Sequence, residues 1–265
     1  MVVMSMATAM TNILSTFRNR ALLRLSGEGV LAFLHNILTC NVAQLGDGQT
    51  VYGALLSAQG KILHDVFVTN SGDNIWIDCA AKGRDDLISK LRLYRLRAKF
   101  EIEAVPENSI GTVNDPRHPS LGLRAETNDY DEARFALGIA DSAEIGSGKL
   151  FPHEANFDQL GAVNFEKGCY IGQEVVSRMQ HRSTARSRIL PIIFDSVQAT
   201  DENVITSGEM AIGEVLGRKG NLGIGLVRLD RLAVAAAPLT VAGNRIHANK
   251  PDWIKYEVII PKVAA

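Results

Sequence analysis

The sequence is poor in cysteine. Cys40, Cys79 and Cys169 are the only three; they lie far apart, and no two form a C-x-x-C pair. A structural zinc site or an iron–sulfur cluster held by this chain alone needs more soft ligands at closer spacing, so neither is expected and no metal ligand is assigned. Scattered, odd-numbered thiols fit a reducing compartment. Long hydrophobic runs are also missing, and none approaches the length of a membrane span. So is an excess of charge of one sign. The chain has 28 Lys and Arg against 29 Asp and Glu, a net charge of −1. That balance argues against a dedicated nucleic-acid binder and leaves only local basic patches to consider.

What is present is the composition of an ordinary soluble protein, 46% hydrophobic and 22% charged. A chain of 265 residues buries a substantial core and has room for two domains. Met1 to Arg20 contains no acid and carries Ser, Thr and two Arg, a composition weakly like an organelle transit peptide. The reading adopted is a short flexible extension over residues 1–20 of a bacterial cytoplasmic protein, with the mitochondrial matrix as the alternative.

Ala21 to Leu25 alternates as a strand does. Beyond the Gly27-Glu28-Gly29 turn, Leu31, Leu34 and Leu38, with Phe33 and Ile37, share one helical face. Val51–Leu56, Ile62–Thr69 and Asn74–Cys79 read as three strands joined by Ser57-Ala58-Gln59-Gly60 and by Asn70-Ser71-Gly72-Asp73-Asn74, an antiparallel meander. Asp85-Asp86 opens a helix with Leu87, Leu91 and Tyr94 on one face. From Arg95 to Ile102 the chain reads as extended, which puts Arg95, Arg97 and Lys99 on one side. That row suits an anionic ligand such as the glutamate tail of a folate, a nucleic acid, or simply a solvated face. Asp115-Pro116-Arg117 reads as a loop, and Asn128 or Asp129 caps a helix that stops at Gly138. After a basic cluster of Arg178, His181, Arg182, Arg186 and Arg188, the chain turns into short extended runs separated by glycines. These are Ile189–Phe194, Gly213–Gly217, Leu222–Val227, Leu239–Ala242 and Ile254–Ile260, the pattern of a small β-barrel.

Everything hinges on Lys167-Gly168-Cys169-Tyr170-Ile171-Gly172-Gln173-Glu174. A cysteine between a lysine and a helix start is placed for a lowered thiol pKa, because cation and helix dipole both favour thiolate. The same residue type near glycines is also a common small buried side chain. The full string resembles the K-G-C-Y-x-G-Q-E signature of YgfZ-type proteins, folate-binding relatives of the glycine cleavage T-protein aminomethyltransferase. Tyr52, Gly60, Ile62, Leu63 and Asp65 match that T-protein's hairpin motif, with His64 in place of an acid. Tyr-Arg-Leu-Arg-Ala-Lys, from Tyr94 to Lys99, is similar to a YgfZ-type segment. Pro152-His153-Glu154-Ala155-Asn156 resembles the P-x-E-x-N that precedes the signature in mitochondrial YgfZ-type proteins.

The resemblance implies an α+β T-protein-like folate-binding fold of antiparallel sheets and helices over residues 21–187, and a small C-terminal β-barrel over 188–265. It implies tetrahydrofolate or a one-carbon derivative as cofactor. The implied role is support of iron–sulfur protein maturation or repair, including tRNA-modifying enzymes, with iron–sulfur client or assembly proteins as partners. Glu154 then holds the pterin edge, since a carboxylate matches its paired N–H donors. Tyr52 packs on the pterin ring and Tyr170 lines the site. Asp65 faces the folate nitrogens and stabilises a cation or moves a proton. Cys169 acts as a thiolate helped by Lys167, attacking a carbon unit or ligating a transient iron. A folate-dependent aminomethyl or demethylating transferase is the enzymatic alternative. An RNA-contacting adaptor using the two basic stretches is the third reading.

Overall fold

The computed structural model describes residues 20–96, 98–106, 115–121, 128–182, 185–197 and 200–261. Arg97 and all of residues 1–19, on which expectations were placed, lie outside that set.

Five strands form an antiparallel sheet: β1 (Arg20–Gly27), β2 (Thr50–Leu56), β3 (Ile62–Ser71), β4 (Asn74–Ala80) and β5 (Phe100–Ala104), in the order β2-β3-β4-β1-β5. Both faces of the sheet are covered, which is why its strands read as nearly continuous apolar runs. Period-two alternation sorts the side chains. Leu23, Leu25, Val66, Val68, Ile75 and Ile77 face one core, shared with Leu34 of α1 (Val30–Ile37) and with Leu87 and Leu91 of α2 (Arg84–Arg95). Tyr52, Ala54, Leu56 and Phe67 face a second core, built with Phe135, Phe157, Tyr170 and Val176 and closed by Ile189 and Ile224. α3 (Asn128–Leu137) and α4 (Ser142–Ile145) precede a run of turns over 152–161. α5 (Gln173–Arg182) then leads to the barrel.

Six strands close that barrel in the order β10-β11-β6-β9-β8-β7. They are β6 (Ser187–Phe194), β7 (Val204–Ser207), β8 (Met210–Lys219), β9 (Leu222–Arg228), β10 (Leu239–Val241) and β11 (Asn244–Ala248), with the short α6 (Leu229–Leu232) after β9. Closure leaves no open sheet edge. Two expectations fail here. Ile254–Ile260 is not a strand, and β7 and β11 take the places the glycine spacing did not reveal. A third fails in the sheet domain: Arg95 ends a helix, Leu96 takes φ 50°, and strand structure begins only at Phe100. The Arg95 guanidinium folds back, donating to the Phe100 carbonyl at 2.7 Å, so Arg95 does not join the expected basic row.

The turns before α5 bind the barrel to the sheet domain. Ile189 N donates to the Glu154 carbonyl at 2.9 Å, Asn156 Nδ2 donates to the Ile189 carbonyl at 2.8 Å, and Tyr256 Oη donates to Asn156 Oδ1 at 2.9 Å. Arg188, read as part of a basic cluster, is buried and pairs with Asp158 at 2.6 Å.

Candidate functional site

The signature loop is stitched to the end of α1. Thr39, fully buried, donates its hydroxyl to the Ala162 carbonyl at 2.6 Å and accepts from Ala54 N at 2.9 Å. Asn164 N donates to the Thr39 carbonyl at 3.0 Å. The Asn164 side-chain oxygen accepts from the Glu166 and Lys167 amides at 2.9 and 2.7 Å, which turns the chain into the signature. Gly172 has φ +79°, and a Cβ there would stand 2.6 Å from the Ser57 carbonyl oxygen; only glycine allows this loop to lie on the β2–β3 turn.

Lys167 corrects the expectation placed on it. It is buried, and its Nζ reaches into the carbonyls at the C-terminal end of α1. It donates to the carbonyls of His35, Leu38 (2.5 Å) and Cys40 (3.2 Å). Three N–H donors meet three acceptors at the negative end of a helix, so the ammonium is used up as a cap. Burial pulls its pKa down to about 8, partly offset by Cys40. Lys167 therefore anchors the loop and is not available to stabilise a Cys169 thiolate. The aromatic ring of Tyr170 lies 5.0 Å from the same Nζ. Tyr170 is buried, its hydroxyl has no hydrogen-bond partner among the described residues, and burial pushes its pKa up to about 12.

Cys169 is the exposed cysteine, whereas Cys40 and Cys79 are buried. Burial pushes both buried thiols up to about 12, which leaves them inert at neutral pH. Phe165, Glu166, Gly168 and Cys169 all face solvent, and Lys167 alone turns inward.

Asp65 and Tyr52 lie elsewhere, in the second core, and both are almost fully buried. Tyr52 Oη donates to Asp65 Oδ2 at 3.1 Å, and Ser142 Oγ donates to Asp65 Oδ1. The Tyr52 ring packs against Phe67 at 4.9 Å and Phe157 at 5.1 Å, with the Arg117 guanidinium 4.9 Å from its centroid. Burial and the neighbouring Asp65 raise the Tyr52 pKa well above its ordinary value. Around them runs a buried ionic network. Arg20 pairs with Asp78, Arg117 with Asp115 at 2.6 Å, and Arg134 with Glu144 at 2.7 Å, while Tyr130 Oη donates to Asp115 at 2.6 Å. Burial opposes the charge on Arg20, yet Asp78, Asp141 and Asp65 together hold it more firmly protonated than free arginine. The group that the resemblance implies does not fit here. Both Asp65 oxygens already accept hydrogen bonds, and the chain's own phenylalanines and Arg117 surround the tyrosine ring.

Glu154 is half-buried in the 152–161 turns. Its Oε2 accepts from Phe151 N at 2.9 Å, and among the described residues Oε1 accepts from nothing. Burial raises its pKa, against the Phe151 amide and the charges of Lys61 and Arg188. One free carboxylate oxygen beside the Phe151 ring, on which Lys61 Nζ lies at 4.6 Å, is an available acceptor. The structure thus divides the expected residues among three places: Lys167, Gly168, Cys169 and Tyr170 on the anchored loop, Asp65 and Tyr52 in the core, and Glu154 against the barrel. Gln173 and Glu174 begin α5, where Glu174 pairs with Arg178 at 2.6 Å. No group of His, Cys, Asp and Glu that could hold a metal occurs among the described residues. The Arg20 and Arg117 pairings escaped sequence reading. For Arg117 the one available signal was an acid two residues upstream across a proline; for Arg20 the partner lies on another strand.

Comparison with known proteins follows the same division. Residues 186–256 match the family model described as the CAF17 C-terminal beta-barrel domain. The chain is 28% identical over 288 residues to a protein of Pyricularia oryzae named iron–sulfur cluster assembly factor IBA57 homolog, mitochondrial, covering 84% of this chain and 74% of that one. It is 25% identical over 298 residues to the human iron–sulfur cluster assembly factor IBA57, mitochondrial, covering 88% of this chain and 83% of that one. The crystal structure of the glycine cleavage system aminomethyltransferase T from Bartonella henselae superimposes with a TM-score of 0.69 at 13% identity, covering 91% of this chain and 85% of that one. The architecture is the T-protein-like α+β fold with a C-terminal closed barrel. The two named relatives from Pyricularia oryzae and human carry the IBA57 name, so where a YgfZ-type relation was expected the chain is similar to proteins named iron–sulfur cluster assembly factor IBA57.

Proposed function

We propose that this chain supports the maturation or repair of iron–sulfur proteins, and that it acts through the Cys169 thiol. The observation that carries this reading is the contrast between two sites on one fold. The Asp65 centre is buried among the chain's own side chains with each carboxylate oxygen already accepting a hydrogen bond, while the signature loop is anchored at Lys167 and Gly172 and presents a thiol to solvent. A buried carboxylate with both oxygens engaged is poorly placed to meet a substrate; an exposed thiol on a fixed loop can ligate cluster iron that a partner shares. One thiolate cannot hold a cluster alone, so the cargo is shared with a client or assembly protein. The printed names of the relatives support the iron–sulfur role and favour the mitochondrion over the cytoplasm as its compartment. Clients that modify transfer RNA are a finer part of the same proposal. In cells lacking the chain, activities of iron–sulfur enzymes fall while those of enzymes without clusters do not. The parent sequence restores them, and unchanged iron–sulfur activities on its removal overturn the reading.

A second reading is favoured by the free Oε1 of Glu154: tetrahydrofolate or a one-carbon derivative binds there as an effector, without chemistry at Asp65. In calorimetric titration of tetrahydrofolate, Glu154→Gln binds at least roughly tenfold more weakly, about 1.4 kcal/mol. Equal affinity in parent and variant, or no binding by the parent, removes Glu154 from the account.

A further inference from the structure

Gly168 has no internal reason to be glycine. Every other described glycine either has a positive φ or would place a Cβ within 4 Å of another group; Gly168 has neither. A Cβ built on it meets nothing, and the residue is exposed. Its neighbour in the signature, Gly172, shows the contrast, since there both the conformation and the Ser57 carbonyl exclude a side chain. Glycine also costs folding entropy relative to alanine wherever alanine is tolerated. Gly168 directly precedes Cys169 in the chain, and both residues are exposed. A second feature unexplained by internal packing stands just beyond Cys169: the Tyr170 hydroxyl is buried and has no partner among the described residues.

We propose that Gly168 is a clearance residue: its missing side chain lets the surface of a partner protein carrying an iron–sulfur cluster seat against the backbone beside Cys169. This rests on the proposed function and names what that site must admit. A protein surface fits better than a small molecule, because a rigid docked surface cannot sidestep one methyl group, whereas a small ligand tilts around it. The exposed run supports the same class. Phe165, 38% exposed, precedes the bare glycine and the thiol in the chain, an aromatic side chain of the kind enriched at protein contacts. Gly168 touches no cargo itself; it sets which surfaces can approach.

Gly168→Ala and Gly168→Leu test this with three readouts. Thermal unfolding of Gly168→Ala matches the parent or rises by about 1–3 °C, because the backbone is compatible and alanine narrows the unfolded ensemble. Alkylation of Cys169 by iodoacetamide stays within about threefold of the parent, since the thiol remains exposed. Rescue of iron–sulfur enzyme activity in cells lacking the chain falls, modestly for alanine and by at least roughly tenfold for leucine, as docking is lost. Full rescue by Gly168→Leu overturns the proposal. So does a Tm fall of more than about 5 °C in Gly168→Ala, which would place the need for glycine inside the fold. Cys169→Ser run alongside separates the two claims: if it rescues fully, the thiol reading fails, whatever Gly168 does.

Discussion

Arg117→Met destabilises the chain by about 3–5 kcal/mol at neutral pH, the cost of leaving a buried carboxylate without its partner. Both side chains of the Arg117–Asp115 pair are fully buried, and the guanidinium also donates to the Ala140 carbonyl at 3.0 Å and packs on Tyr52 and Phe67. Burial alone would raise the Asp115 pKa, but Arg117 and the Tyr130 hydroxyl hold it below the usual carboxylate range. Without Arg117 the burial effect prevails, and the folded-state pKa of Asp115 moves above its unfolded value. Protonation then favours the folded state, so the deficit shrinks as pH falls: smaller at pH 4.5 than at pH 7.5. Urea unfolding at the two pH values measures it. Adding Asp115→Asn returns part of the loss, because the uncompensated charge is gone. A pH-independent deficit would mean that packing, and not charge, dominates.

Lys167→Met removes the cation from the end of α1 and leaves three carbonyls with poorer partners. Bonds from a charged donor are each worth more than a neutral one, but the buried ammonium is itself costly, so the expected net loss is about 2–4 kcal/mol. In thermal unfolding that is a fall of about 5–12 °C. The effect is local to the contact between α1 and the signature loop. Amide exchange is therefore expected to rise at the end of α1 and across 164–170 while the barrel strands stay protected. If the exchange pattern is unchanged, Lys167 does not anchor the loop.

Much of this fold is legible in the sequence because its signals are local. Leu34 and Leu87 announce helices by their spacing, and the Ile62–Ser71 strand by its β-branched run between glycine turns. Where local signals are weak, reading failed. Val204–Ser207 and Asn244–Ala248 are short strands fixed by closure of the barrel, and Arg95 folds back on Phe100 against the extended pattern of its own segment. The site was legible as a string and not as an arrangement. Lys167 stands two residues from Cys169, yet its partners are carbonyls more than a hundred residues earlier, and nothing in the string says which way the ammonium turns. Asp65 matches a motif, but its hydrogen bonds come from Ser142 and Tyr52, and Ser142 is brought to it only by folding.

The most direct measurement compares Cys169→Ser with Asp65→Asn in cells lacking the chain, with both variants at the soluble level of the parent and iron–sulfur enzyme activity as the readout. The account predicts that Cys169→Ser fails to restore activity and that Asp65→Asn restores it, because function sits at the exposed thiol. Restoration by Cys169→Ser with failure of Asp65→Asn would contradict it and place the function at the buried carboxylate.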